Sequence, residues 1–150
     1  MKDRSLLFLL AICAGAVFLV WTTRAQDEPG FTVIVNASNP IETVDKSRLS
    51  SMFLKKVKRW PEQNVEVLPF DLKAESVTRA SFSEAVHGRS VSSIKNFWQR
   101  QIFSGRDVPP PELGSDEEMI KQVGANRGGI GYVSSKTRLP ETVKALRIGD

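Results

Sequence analysis

Phe31-Thr32-Val33-Ile34-Val35 is a run of aromatic and β-branched side chains broken by a single hydroxyl. Without polar alternation such a run has no face to turn to water, so it predicts a central strand buried on both sides. Gln26 to Gly30 forms a polar lead before it, and Asn36-Ala37-Ser38-Asn39-Pro40 ends it in turn-forming residues, with Pro40 disfavouring helix at Asn39.

Upstream, Leu6 to Trp21 is free of charge over 16 residues, flanked by Lys2 and Arg4 on one side and Arg24 on the other. A basic start, an apolar centre, and small residues at Thr23 and Ala25 fit a secretory signal peptide cleaved before Gln26. The competing expectation is an uncleaved membrane anchor, but the run falls short of the roughly 18 to 20 residues that cross a bilayer. A lipoprotein leader is disfavoured because bulky Ile12 precedes Cys13 and the apolar run continues past it. Residues 1–25 thus read as a signal peptide and 26–150 as one secreted domain.

The chain has 21 Lys and Arg against 17 Asp and Glu, a net charge of +4. Removing Lys2, Arg4, Arg24 and Asp3 with the leader leaves 18 basic and 16 acidic side chains, which gives no basic face for nucleic acid. Lys55, Lys56, Lys58 and Arg59 come closest to a cluster and read as the solvated side of a helix. Cys13, the one cysteine, lies in the leader, so the domain holds no disulfide and performs no thiol chemistry. Its 125 residues suffice to bury a core without covalent staples.

Along the domain, Leu49, Met52, Phe53 and Val57 recur at helical spacing, predicting an amphipathic helix from Asp45 to about Trp60, stopped by Trp60-Pro61. Val65 to Phe70 predicts a second strand. Ser76 caps a helix with Val77, Phe82, Ala85 and Val86 inward and Gly88 as its stop; Ser92 caps the next, with Ile94, Phe97, Trp98 and Ile102 inward and Gly105 at its end. Arg106 to Gly114 contains three prolines and reads as a connector. Ser115 and Glu118 form a capping box for a helix with Met119, Ile120 and Val123 inside. Gly128-Gly129 breaks that helix, Ile130 to Ser134 is a strand, and Val143 to Ile148 is the last. The order β-α-β-α-α-α-β-β predicts an α/β domain with helices covering a small mixed sheet.

Enzyme parts are scarce. His87 is the single histidine and reads as a surface residue at a helix end, where the dipole favours its protonated form. With no second histidine or cysteine, neither a metal site nor a nucleophile and base pair can be assembled, so no catalytic residue, metal or cofactor is expected. Gly128-Gly129-Ile130-Gly131 follows a helix and opens a strand, the reverse of a dinucleotide-binding turn. What remains is anion chemistry on two loops between strands and helices: Ser38 and Asn39 on one, Ser76, Thr78 and Arg79 on the other. Backbone N–H groups at helix starts favour an oxyanion, and Arg79 can offer paired bonds, although capping by Ser76 and solvation of Arg79 explain the same residues.

Four segments resemble, in order, the compact phosphate-binding-protein-like domains related to the substrate-binding component of phosphate ABC transporters. They are Val33-Ile34-Val35-Asn36 with Ser38-Asn39-Pro40; Leu49 to Lys55 running to Arg59-Trp60-Pro61; Ser76-Val77-Thr78-Arg79 with Phe82; and Gly129-Ile130-Gly131-Tyr132-Val133. Gln101-Ile102-Phe103-Ser104-Gly105 also fits. The resemblance implies a single lobe of the type II periplasmic-binding-protein-like fold, a non-enzymatic protein, and a phosphate or related oxyanion held by loop hydroxyls, backbone N–H groups and an arginine. Two departures stand out. Two-lobed members are about twice this length, and their phosphate loop reads Ser-Gly-Thr, whereas here Ser76 is followed by Val77 and preceded by Glu75. The expected function is therefore a periplasmic oxyanion-binding module serving an ABC transporter permease. The alternative is a ligand-free interaction or assembly domain of an envelope complex, with homodimerisation as one way to build a second cleft wall.

Overall fold

The computed structural model describes residues 30–61 and 63–149; the signal-peptide expectation for residues 1–25 lies outside them. Strand β1 (Phe31–Asn36) is flanked in a four-stranded sheet of order β3-β6-β1-β7 by β6 (Gly129–Ser134) and β7 (Val143–Ala145), both antiparallel to it. β3 (Leu68–Pro69) runs parallel to β6 at the edge, so the sheet is mixed. Two short parallel pairs stand outside it: β2 (Thr43–Asp45) with β8 (Arg147–Gly149), and β4 (Asp71–Leu72) with β5 (Glu112–Leu113).

Both faces of β1 are covered, as its continuous apolar run requires. On one face lies α4 (Asp116–Ala125), whose Met119 sits so close over Gly131 that a side chain there would collide with it. Asn36 fastens the same helix from the end of β1 by donating from Nδ2 to the carbonyls of Val123 (3.2 Å) and Gly124 (2.9 Å). On the other face, Phe31 and Tyr132 meet Phe53 from α1 (Lys46–Phe53) and Phe82 from α2 (Val77–Phe82). The Phe82 and Tyr132 rings stack with centroids 3.9 Å apart and planes 5° from parallel. Helix α2 continues as a single π turn, Ser83–His87, and α3 (Val91–Phe103) follows after Gly88. The α/β class and the predicted order hold, with β2, β4 and β5 added and the last strand divided into β7 and β8.

Several boundaries differ from expectation for local reasons. The first helix ends at Phe53, seven residues before Trp60. Lys55 adopts φ 54°, and the N–H groups of Lys55 and Lys56 bond back to the carbonyls of Met52 (3.0 Å) and Ser51 (2.8 Å). This is a Schellman ending with lysine where glycine is favoured. The strand expected over Val65 to Phe70 contracts to β3, preceded by a lone bridge between Arg59 and Glu66. Ser90 rather than Ser92 caps α3, accepting from the Ser93 N–H at 3.3 Å. Ile102, expected inside, is 50% exposed on the last turn of α3. The Ser115–Glu118 box forms with one change: the Glu118 carboxylate accepts from the Gly114 N–H at 2.6 Å.

Gly128 is the position where backbone approaches backbone, since any Cβ there would strike the Glu66 carbonyl oxygen. The same glycine carbonyl accepts the Trp60 indole N–H at 3.0 Å. Neither partner can swing aside, so Gly128→Ala is expected to cost roughly 2–4 kcal/mol of unfolding free energy, read as a lower urea midpoint. A midpoint unchanged from the parent would show that this approach is not constrained.

Candidate functional site

The two loops expected to bind an anion lie toward opposite ends of β1. Ser38 and Asn39 follow Asn36 at its end, whereas Ser81 of α2 touches Gly30 and Phe82 meets Phe31 at its start. A six-residue strand separates its ends by roughly 17–20 Å. The five predicted residues are therefore distributed over two places and do not surround one point.

At the first place, Asn36 Oδ1 accepts from both the Ser38 N–H (2.9 Å) and the Ser38 hydroxyl (2.7 Å). Asn39 is buried; its Oδ1 accepts from the Ile41 N–H (2.9 Å) and from Gln63 Nε2 (3.3 Å), which fixes its amide orientation. Its Nδ2 is then a buried donor with no acceptor among the described residues.

At the second place, Ser76 caps α2 by accepting the Arg79 N–H at 3.3 Å, and Thr78 is half-buried on the first turn. Arg79, expected to contact an oxyanion or else to be solvated, is only 2% exposed and already paired. Its Nη2 lies 3.1 Å from Asp71 Oδ2, and its Nη1 lies 2.8 Å from Glu112 Oε1 and also donates to the Leu72 carbonyl. The Tyr132 hydroxyl donates to Asp71 Oδ1, which also takes the Leu72 N–H at 3.0 Å. Burial raises the Asp71 carboxyl above its ordinary pKa, with Arg79 and Tyr132 opposing the shift. Burial likewise raises the Tyr132 phenol, reinforced by the Asp71 charge, so this tyrosine stays a hydrogen-bond donor. Val77, expected in the core, is 82% exposed: it stands five residues before Phe82, about 140° round the helix, while Arg79 is on the Phe82 side.

His87 is not the surface residue expected. It is half-buried, edge-on to Phe82 at 5.4 Å, and its Nδ1 is 2.8 Å from the Ser50 hydroxyl, joining α1 to the π turn. Burial, with Arg79 and Arg89 nearby, lowers its pKa to about 4. A serine and histidine thus do meet, but an imidazole so reluctant to accept a proton is a weak general base.

The basic stretch Lys55 to Arg59 leaves the helix, and two of its lysines line a cavity of about 290 Å³ beside β3 together with Val57, Leu68 and Phe70. Lys55 Nζ is 3.7 Å from Asp107 Oδ1 and Lys58 Nζ is 3.2 Å from Oδ2. Among the described residues no group of three or more His, Cys, Asp and Glu is placed to hold a metal ion, and no helix is long and apolar enough to cross a membrane.

Two measurements follow. Removing Arg79 strands Asp71 in the core, so Arg79→Ala is expected to cost roughly 3–5 kcal/mol in urea unfolding; a loss below about 1 kcal/mol would place the guanidinium in solvent. The folded state binds a proton at His87 less readily than the unfolded chain, so this residue's contribution is present above about pH 6.5 and lost as pH falls toward 4, with Asp71 pulling the other way. His87→Asn is expected to remove up to about 3 kcal/mol of that acid loss. Equal slopes for parent and variant between pH 6.5 and 4 would contradict the burial of the imidazole.

No family model matches the sequence, and the search of curated proteins finds no match. The fold has solved counterparts. An ABC-type phosphate transport receptor from Vibrio cholerae superposes with a TM-score of 0.61 at 19% identity, covering 78% of this chain and 45% of the receptor. A putative phosphate ABC transporter substrate-binding protein from Clostridium perfringens, solved with bound phosphate, gives 0.61 at 18% identity, covering 79% and 44%. A possible phosphate-binding protein from Planctomyces limnophilus gives 0.58 at 18%, covering 81% and 42%. The chain spans a little under half the length of each, and over that span it has the periplasmic-binding-protein fold of phosphate ABC transporter substrate-binding proteins.

Proposed function

We propose that the chain is a non-enzymatic binding module of the periplasm whose ligand is phosphate or a related small oxyanion, working with an ABC transporter permease. The observation that carries this reading is the fold, shared over 78–79% of the chain with a phosphate transport receptor and a phosphate-bound substrate-binding protein. Asn39 supports it: its Nδ2, on the loop that leaves the central strand, is a buried donor with no acceptor among the described residues. Ser38 and Asn39 are the first position offered to an ion. Ser76, Thr78 and Arg79 are a second, where an incoming oxyanion replaces the Glu112 carboxylate, whose side chain is 42% exposed.

The pairing of Arg79 with two carboxylates favours a second reading, a ligand-free interaction or assembly domain. Exposed Ile102, Phe103 and Val108 at the end of α3 give it a surface for an envelope protein or a second copy of the chain.

A ligand that binds only the folded state stabilises it by about 2.7 kcal/mol at one hundred times its Kd. Millimolar phosphate is therefore expected to raise the melting temperature by several degrees, with sulfate giving less, and Asn39→Leu is expected to diminish the phosphate effect. No shift with either anion would overturn the oxyanion reading and leave the interaction domain.

A further inference from the structure

Lys55 and Lys58 direct their ammonium groups to the two oxygens of one carboxylate, that of Asp107, at the mouth of the cavity beside β3. Lys55 does so from φ 54°, a conformation that costs a residue with a Cβ on the order of 1 kcal/mol and that glycine adopts freely. A helix ending alone has no use for that lysine. Its side chain is only 23% exposed and forms part of the cavity wall, with apolar Val57 and Phe70. The arrangement is a carboxylate held between two cations on the wall of a cavity of about 290 Å³ whose remaining lining is mostly apolar.

We propose that this cavity binds a small amphipathic carboxylate, with its apolar body on Val57, Leu68 and Phe70 and its head group between Lys55 and Lys58. Asp107 occupies the position of that head group and gives way when the ligand enters. Glu66, also on the wall, sets a limit of one negative charge on the head, since a dianion meets its repulsion. The Lys58 side chain is 66% exposed and follows the head group without disturbing the fold. The inference is independent of the oxyanion reading, because none of Ser38, Asn39, Ser76, Thr78 or Arg79 lines this cavity.

The test uses the full chain, octanoate as the probe and octanol as its neutral counterpart, followed by calorimetry. Octanoate is expected to bind with one-to-one stoichiometry and at least tenfold more tightly than octanol, the effect of charge-assisted bonds to the head group. Lys58→Ala and Lys55→Gly are each expected to weaken octanoate about tenfold and leave octanol unchanged. Lys55→Gly is also expected to raise the melting temperature by relieving the left-handed backbone, which separates lost binding from lost folding. Asp107→Ala removes the internal competitor and is expected to tighten octanoate several-fold. Absence of binding at 10 mM octanoate, equal affinity for octanol, or indifference to all three substitutions would each overturn the proposal. Millimolar phosphate serves as a separate arm: its failure to bind bears on the oxyanion reading alone.

Discussion

A guanidinium taken almost wholly out of water needs its donors matched, and the partners of Arg79 come from two separate strands, with a third strand behind one of them. Asp71 and the Leu72 carbonyl belong to β4, Glu112 to β5, and Tyr132, which holds Asp71 from the other side, to β6. A pair of two-residue strands has too few ladder bonds to persist alone. β4 and β5 are held beside each other because one side chain bonds to both. Three residues farther along α2, Phe82 stacks on the Tyr132 ring, so the same short helix is clamped by charge at one turn and by aromatic contact at the next. This polar knot fixes where α2 sits on the sheet, and thereby where the Ser76 loop faces.

That knot also decides how far the site was legible. β1, the Ser115 cap of α4 and the Gly128-Gly129 break before β6 are local statements, written in adjacent residues, and they appear where the sequence places them. The Arg79 interior position was readable in part: Arg79, Phe82 and Val86 follow the i, i+3, i+7 spacing of one helical face, which Val77 does not. Its acidic partners were not readable. Asp71 and Glu112 are 41 positions apart, and Glu112 lies in a proline-rich stretch that offers no strand pattern. Lys55 illustrates the opposite failure. Helical spacing ran on to Val57, but the chain turned left-handed at a lysine, a choice that propensity alone disfavours. Helix-end position alone puts His87 at the surface, whereas Ser50 and Phe82, which only the fold brings to it, draw it inward.

The cations of the domain thus fall into two settings with different consequences for a ligand. What a negatively charged ligand gains at a cation is set by what it must displace. At Arg79 it must take the place of Glu112, whose side chain is 42% exposed, and then sit beside Asp71, a buried carboxylate that repels it and shares the same guanidinium. At Lys55 and Lys58 the displaced group is Asp107, a carboxylate 24% exposed on a loop, which water receives at little cost. Beside it stand Val57, Leu68 and Phe70, half-buried apolar side chains of the cavity wall, so the body of a ligand adds what the head group alone does not. A bare oxyanion competes with Asp107 on equal terms, whereas a carboxylate with an alkyl or aryl tail brings a second source of binding energy that Asp107 lacks. The balance of displaced against gained contacts therefore favours the cavity for amphipathic carboxylates over the cation-free loop of Ser38 and Asn39 or the occupied guanidinium of Arg79 for a bare oxyanion.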